Sequence, residues 1–203
     1  MTESTPTIRS ALKAALVVTH QWVEGTLEDI DDELANRPGT GLSHSIAAIV
    51  AHFVLLEDAM LNHFCLTRVP LLTSGWAGPT CPYCGTDGMT HAMPLFASSW
   101  AGRTGVNPLM PRFGSSEAES DSWYHSVRID TAANRAYRQA VFTQSEEFIV
   151  SADEPALARI VDSQIGPMPV ANFYASIFIG HINLHIGEVS AIKGSLGRQG
   201  YPF

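Results

Sequence analysis

At 203 residues, 45% hydrophobic and 16% charged, the chain can bury a substantial core without disulfides and lies far from disordered compositions. A formal net charge of −8 argues against a nucleic-acid binder, whose contact surface is basic and clustered. No unbroken apolar run reaches bilayer length, the N-terminus lacks a basic start followed by an apolar stretch, and three cysteines make no disulfide framework, so a cytoplasmic protein with no membrane partner is expected.

The first helix is expected from Thr7 to Leu34, because Ile8, Leu12, Leu16, Thr19, Val23, Leu27, Ile30 and Leu34 fall at threes and fours along it. Asn36-Arg37-Pro38-Gly39 breaks the pattern. Ser43 is the expected cap of a second helix from His44 to Cys65, which ends ahead of Val69-Pro70. Between Thr67 and Arg128 the chain turns rich in glycine and proline, with Trp76, Trp100 and Trp123 spaced through it. It is too long for an ordinary helix connection, and its aromatics point to an ordered cover packed across one end of a bundle. A third helix follows Asp130 and runs to Ser151, and Asp153-Glu154-Pro155 opens a short one. Ile165-Gly166-Pro167-Met168-Pro169 is read as a break. The fourth helix then runs from Val170 to Lys193, with Gly194 as its terminating glycine. The expected fold is all-α: one domain over residues 1–203, a four-helix bundle with a long irregular insertion at 67–128 between the second and third helices.

Histidine carries the chemical signal. His181 and His185 stand four apart in Ile179-Gly180-His181-Ile182-Asn183-Leu184-His185, a spacing that puts both rings on one helix face with Cβ atoms about 5–6 Å apart. His52 stands in a second apolar stretch, Ile49-Val50-Ala51-His52-Phe53-Val54. Three imidazoles on one divalent ion would leave coordination positions open, the layout of a catalytic rather than a sealed structural site. Phe178, His181, His185, Glu188 and Ile192 are expected to share a face. Glu188 then has three readings: a fourth ligand, an acceptor behind an imidazole N–H, or a plain helix-end carboxylate. His63 shares the face of His52 but lies about 16 Å further along the axis, too far to bind the same ion.

The segment around Ser45-Ile46-Ala47, His52 and Glu57-Asp58, together with His181, His185-Ile186-Gly187-Glu188 and the tail Gly194 to Phe203, resembles the DinB/YfiT superfamily of four-helix-bundle metalloproteins. That resemblance implies one histidine from the second helix and a pair from the fourth, His52, His181 and His185 here, on a divalent metal, with nickel or zinc foremost. It also implies a metal-dependent transferase or isomerase acting on a small molecule with a low-molecular-weight thiol cosubstrate, and Glu188 is assigned a catalytic role. A non-catalytic metal- or ligand-binding bundle is the alternative. A homodimer is the expected assembly.

Cys81-Pro82-Tyr83-Cys84 has redox-motif spacing without the strand and helix such a motif needs. With His91, and with Cys65 as a further donor, Cys81 and Cys84 also suit a second small metal site; inert loop cysteines are the remaining reading. His20, His44 and His125 carry no spacing argument.

Overall fold

The computed structural model describes residues 7–41, 43–66, 95–97, 99–111, 115–163 and 166–203. The chain is mostly helical and forms two compact units, one of the residues up to Glu28 with Phe142–Phe203, the other of Asp29–Val141.

In the first unit, α1 (Ile8–Leu27) starts at a reciprocal cap between Thr7 and Ser10 and buries Leu16, Thr19, His20, Val23 and Thr26. It stops seven residues short of the sequence expectation. Glu28, Asp29, Asp31 and Asp32 would crowd negative charge onto a helix C-terminus, where the backbone dipole opposes it. Asp31 instead accepts from the Leu34 N–H at 2.8 Å and opens a separate turn, α2 (Asp32–Ala35), in the second unit. His20 is a packed core residue: it stacks on Phe142 at 3.7 Å between ring centroids, and its Nδ1 lies 2.7 Å from Glu146 Oε1. After α6 (Glu154–Ala158) comes an antiparallel hairpin, β3 (Ile160–Ser163) with β4 (Gly166–Pro169), where the sequence suggests only a break.

The last helix is composite. An α-helical turn, α7 (Val170–Phe173), passes into a π-helical stretch, Tyr174–His181, and then into α8 (Ile182–Ser195). Its buried positions Val170, Tyr174, Phe178, Ile182 and Ile186 are each four apart. Four-residue steps drift around an α-helix of 3.6 residues per turn, and the wider π turn reduces that drift, so the stripe stays inward. The Tyr174 hydroxyl donates to the Ser145 carbonyl at 2.9 Å, and buried Lys193 donates from Nζ to the Thr26 carbonyl at 2.7 Å, a cation set at the C-terminal end of α1. The helix terminates at Gly197 rather than Gly194: Gly197 has φ +74°, its N–H donates to the Gly194 carbonyl, and that of Arg198 donates to the Lys193 carbonyl. These two bonds make a Schellman end, which needs the left-handed conformation glycine adopts without strain.

In the second unit, α3 (Ile46–Met60) continues as a π turn, Leu61–Cys65. Its cap is Ser45, not Ser43, for Ser45 Oγ accepts from the Ala48 N–H at 3.1 Å. This helix is long and apolar enough to cross a membrane, yet most of it is buried within the protein, as expected of a core helix. Among its described residues the insertion carries a 3₁₀ turn at Leu95–Ala97, β1 (Val106–Asn107) paired with β2 (Arg128–Ile129), and α4 (Glu117–Ser126) between those strands. Asn36 extends the pairing, donating to the Ile129 carbonyl and accepting from its N–H. Trp123 is buried with its indole N–H on the Pro108 carbonyl, and Trp100 packs on Tyr137; Trp76 lies outside the described residues. Gly105 sits at φ +70°, where a Cβ would come 2.4 Å from the Asn134 nitrogen, so only glycine lets this segment lie against the start of α5 (Thr131–Ser151).

A buried carboxylate ties these pieces together. Asp58 accepts from Tyr137 Oη at 2.6 Å, the Leu95 N–H at 2.7 Å, the Phe96 N–H at 2.9 Å and Asn62 Nδ2 at 2.9 Å. Desolvation pushes its carboxyl up to about 6 even though all four donors favour the charged form. Replacing Asp58 by alanine strands those donors and is expected to cost about 3 kcal/mol or more in urea unfolding, whereas the exposed Asp121→Ala should change stability by no more than about 0.5 kcal/mol. Equal effects would remove Asp58 from its place as an anchor.

Candidate metal centre

The two halves of the histidine set lie in different units. In the first unit, His181 ends the π-helical stretch and His185 stands one turn on, with ring centroids 4.4 Å apart and planes at 89°. Their Nε2 atoms are 3.0 Å apart. Two nitrogens bonded to one ion at about 2.0–2.1 Å are separated by about 2.9 Å at an octahedral angle and about 3.3 Å at a tetrahedral one, so the pair fits adjacent ligands of one cation. The face is not quite the expected one: Phe178, Ile182, Ile186 and Val189 form the buried stripe, while His181, His185 and Ile192 are half-buried beside it and Glu188 is exposed.

Glu188 lies behind His185. Its Oε2 is 2.8 Å from His185 Nδ1, with 57% of the Glu188 side chain and 19% of the His185 side chain exposed. A carboxylate at Nδ1 holds a proton there and leaves Nε2 as the lone-pair nitrogen, the tautomer that can bind a metal. His181 is held neutral by its surroundings. Burial first, and then the neighbouring His185 ring, lower its pKa to about 4 against the opposing pull of Glu188.

In the second unit, His52 is half-buried on α3. Its Nδ1 lies 2.9 Å from Tyr124 Oη, and the two rings meet at a tilt of 48°. His44 stacks on Tyr124 at 4.5 Å, and the exposed His125 stands 3.6 Å from Asp121. His63 packs edge-on against Phe64 on the π turn. Tyr124 was invisible as a site residue in the sequence. Ser116-x-x-Glu119 signals the helix that carries it, and both capping bonds form, but no pattern says which phenol meets which histidine. Cys81, Cys84 and His91 lie outside the described residues, while Cys65 is buried at the end of the π turn.

Two measurements follow from the His181 pair. In metal-free protein, NMR titration should find His181 protonating near pH 4 rather than near the ordinary 6.5. Because this folded-state pKa is depressed, its contribution to stability is full above about pH 6.5 and is lost as pH falls towards 4. A midpoint near 6.5 would contradict the burial argument. Substituting Glu188 by alanine should weaken zinc binding by about 10–100-fold, measured by competition with a chelator, with little change in helix content. Unchanged affinity would reduce Glu188 to a surface carboxylate.

The sequence matches the family model described as the DinB superfamily over residues 15–189. A solved structure described as a conserved protein of locus from Enterococcus faecalis is similar in fold, with a TM-score of 0.64 and 15% identity; the match covers 96% of this chain and all of that one. No curated protein matches the chain. The family match takes in His52, His181, His185 and Glu188 together, and the chain belongs to the DinB superfamily.

Proposed function

We propose that His52, His181 and His185 hold one divalent metal ion, nickel or zinc, and that the protein is a metal-dependent enzyme acting on a small electrophile with a thiol cosubstrate. The observation that carries this reading is the Nε2 pair at 3.0 Å with Glu188 behind one ring, a geometry with the spacing and tautomer of adjacent metal ligands. Membership of the DinB superfamily supports His52 as the third donor, since the matched segment spans both helices that bear the set. When bound, such an ion would supply a Lewis acid able to lower the pKa of a thiol or a water molecule. The chain's own contribution is positional. His181 stays neutral through the physiological range and keeps a lone pair for bonding, and Glu188 fixes the ring of His185 while leaving its own carboxylate half in solvent. Across the ring from the ion, that carboxylate would raise the basicity of His185 as a ligand, and the catalytic role proposed for Glu188 acts through that ring.

A non-catalytic metal-binding module is the second reading. It would gain support if Glu188 closed the coordination sphere; its contact with His185 Nδ1 puts the carboxylate on the far side of the ring and favours the enzyme. The partners proposed are a small-molecule substrate and a second copy of the chain, with neither nucleic acid nor membrane.

Metal analysis of the purified protein should find about one nickel or zinc ion per chain, and the His185→Ala variant should retain little. Equal content in the two proteins would end the metal proposal. The metal-loaded protein should then be assayed with glutathione, bacillithiol and mycothiol against alkyl halide, epoxide and maleylpyruvate-like acceptors, alongside a water-only control. Product that appears only with both metal and thiol is the expected result. Full metal occupancy with no turnover under any condition would favour the binding module.

A further inference from the structure

We infer that Tyr124, delivered by the inserted segment, is the positioning residue that fixes the ring orientation of His52; this rests on the reading of His52 as a metal ligand. A histidine on a helix can turn about χ2 and present either nitrogen, so a ligand role needs something to hold one of them. The other candidate ligand with an oriented ring, His185, has a carboxylate from its own helix for the purpose. On α3, the residues one turn either side of His52 are Ala48 and Leu56, neither of which can bond a ring nitrogen. The holding group comes from seventy-two positions away: Tyr124 Oη at 2.9 Å from His52 Nδ1.

The placement of that phenol is built rather than incidental. The reciprocal Ser116–Glu119 cap starts α4, the indole N–H of Trp123 is fixed to the Pro108 carbonyl at 2.9 Å, and the β1–β2 pair closes the loop around the helix. His44 lies flat against Tyr124 at 4.5 Å, and the phenol ring is also edge-packed by Trp123 at 5.0 Å. With the phenol at Nδ1, Nε2 becomes the nitrogen presented to an ion, and on metal binding Nδ1–H donates to the phenol oxygen. Tyr124 thus sets metal affinity without itself being a ligand.

The test is Tyr124→Phe, which keeps the ring, its stacking on His44 and its fit, and removes only the hydroxyl. In zinc-loaded protein the variant should bind zinc about 10–100-fold more weakly by chelator competition. The His52 Nδ1–H signal, slow to exchange with water in the parent, should exchange rapidly. In metal-free protein, ring shifts and NOEs of His52 should report one χ2 orientation in the parent and an average of two in the variant. The melting temperature should move by no more than about 2 °C, which a merely structural role for the hydroxyl would exceed. Zinc affinity and His52 shifts that match the parent would overturn the inference. So would an averaged ring in metal-free parent protein, whatever the metal result. If the parent takes up no zinc but its His52 ring is fixed and is freed in the variant, the positioning stands and the metal reading falls.

Discussion

The second unit depends on one carboxylate removed from water. Asp58 is fully buried, and its four donors come from its own helix, from the 3₁₀ turn and from α5. Without those donors a charge at this depth would be strongly disfavoured, and without the carboxylate the donors would be buried with no acceptor. The arrangement is therefore all-or-none, and it fixes the Leu95–Ala97 turn to α3. The helix that carries Tyr124 follows that anchor in the chain.

The first unit is organised by hydrophobic burial. Tyr174, Phe178, Ile182, Ile186 and Val189 line the inward side of the last helix, and their burial leaves the neighbouring stripe of His181 and His185 half in solvent. That half-burial is deep enough to keep His181 neutral and leaves part of each ring open to solvent. The same helix ends in a firm stop, with Lys193 on the end of α1 and the Schellman turn at Gly197 fixing its length.

Much of this was legible from residue order. Apolar spacing located the four long helices, and the third was bounded correctly because Asp130 is a strong cap, its Oδ1 accepting from the Ala133 N–H. The i,i+4 rule found the pair at 181 and 185, since helical neighbours are fixed by geometry alone. The misjudged boundaries share a cause: polar groups competing for the same backbone. Ser45 caps in place of Ser43, Asp31 ends a stripe that the apolar residues alone would have continued, and Gly197 rather than Gly194 takes the left-handed turn. Contacts between distant segments left no trace in the spacing. Tyr124 with His52, and Tyr137 with Asp58, join residues seventy to eighty positions apart and depend on tertiary folding.

The π-helical stretch also has a meaning for how this chain tolerates change in length. A wide turn absorbs one residue more than an α-helix would, so the orientation of everything after it depends on a count as well as on side chains. Losing one residue between Tyr174 and Gly180 could be absorbed by relaxation to ordinary helix with direction kept, whereas relaxation at unchanged length would rotate the histidine pair by roughly 100° relative to Val170 and Phe173. The aromatic core could re-pack around such a change, but the imidazoles would point elsewhere. Substitutions that keep the wide turn are constrained by packing alone, whereas those that abolish it are constrained by direction as well, since they would turn the imidazoles while leaving the composition of the helix almost untouched.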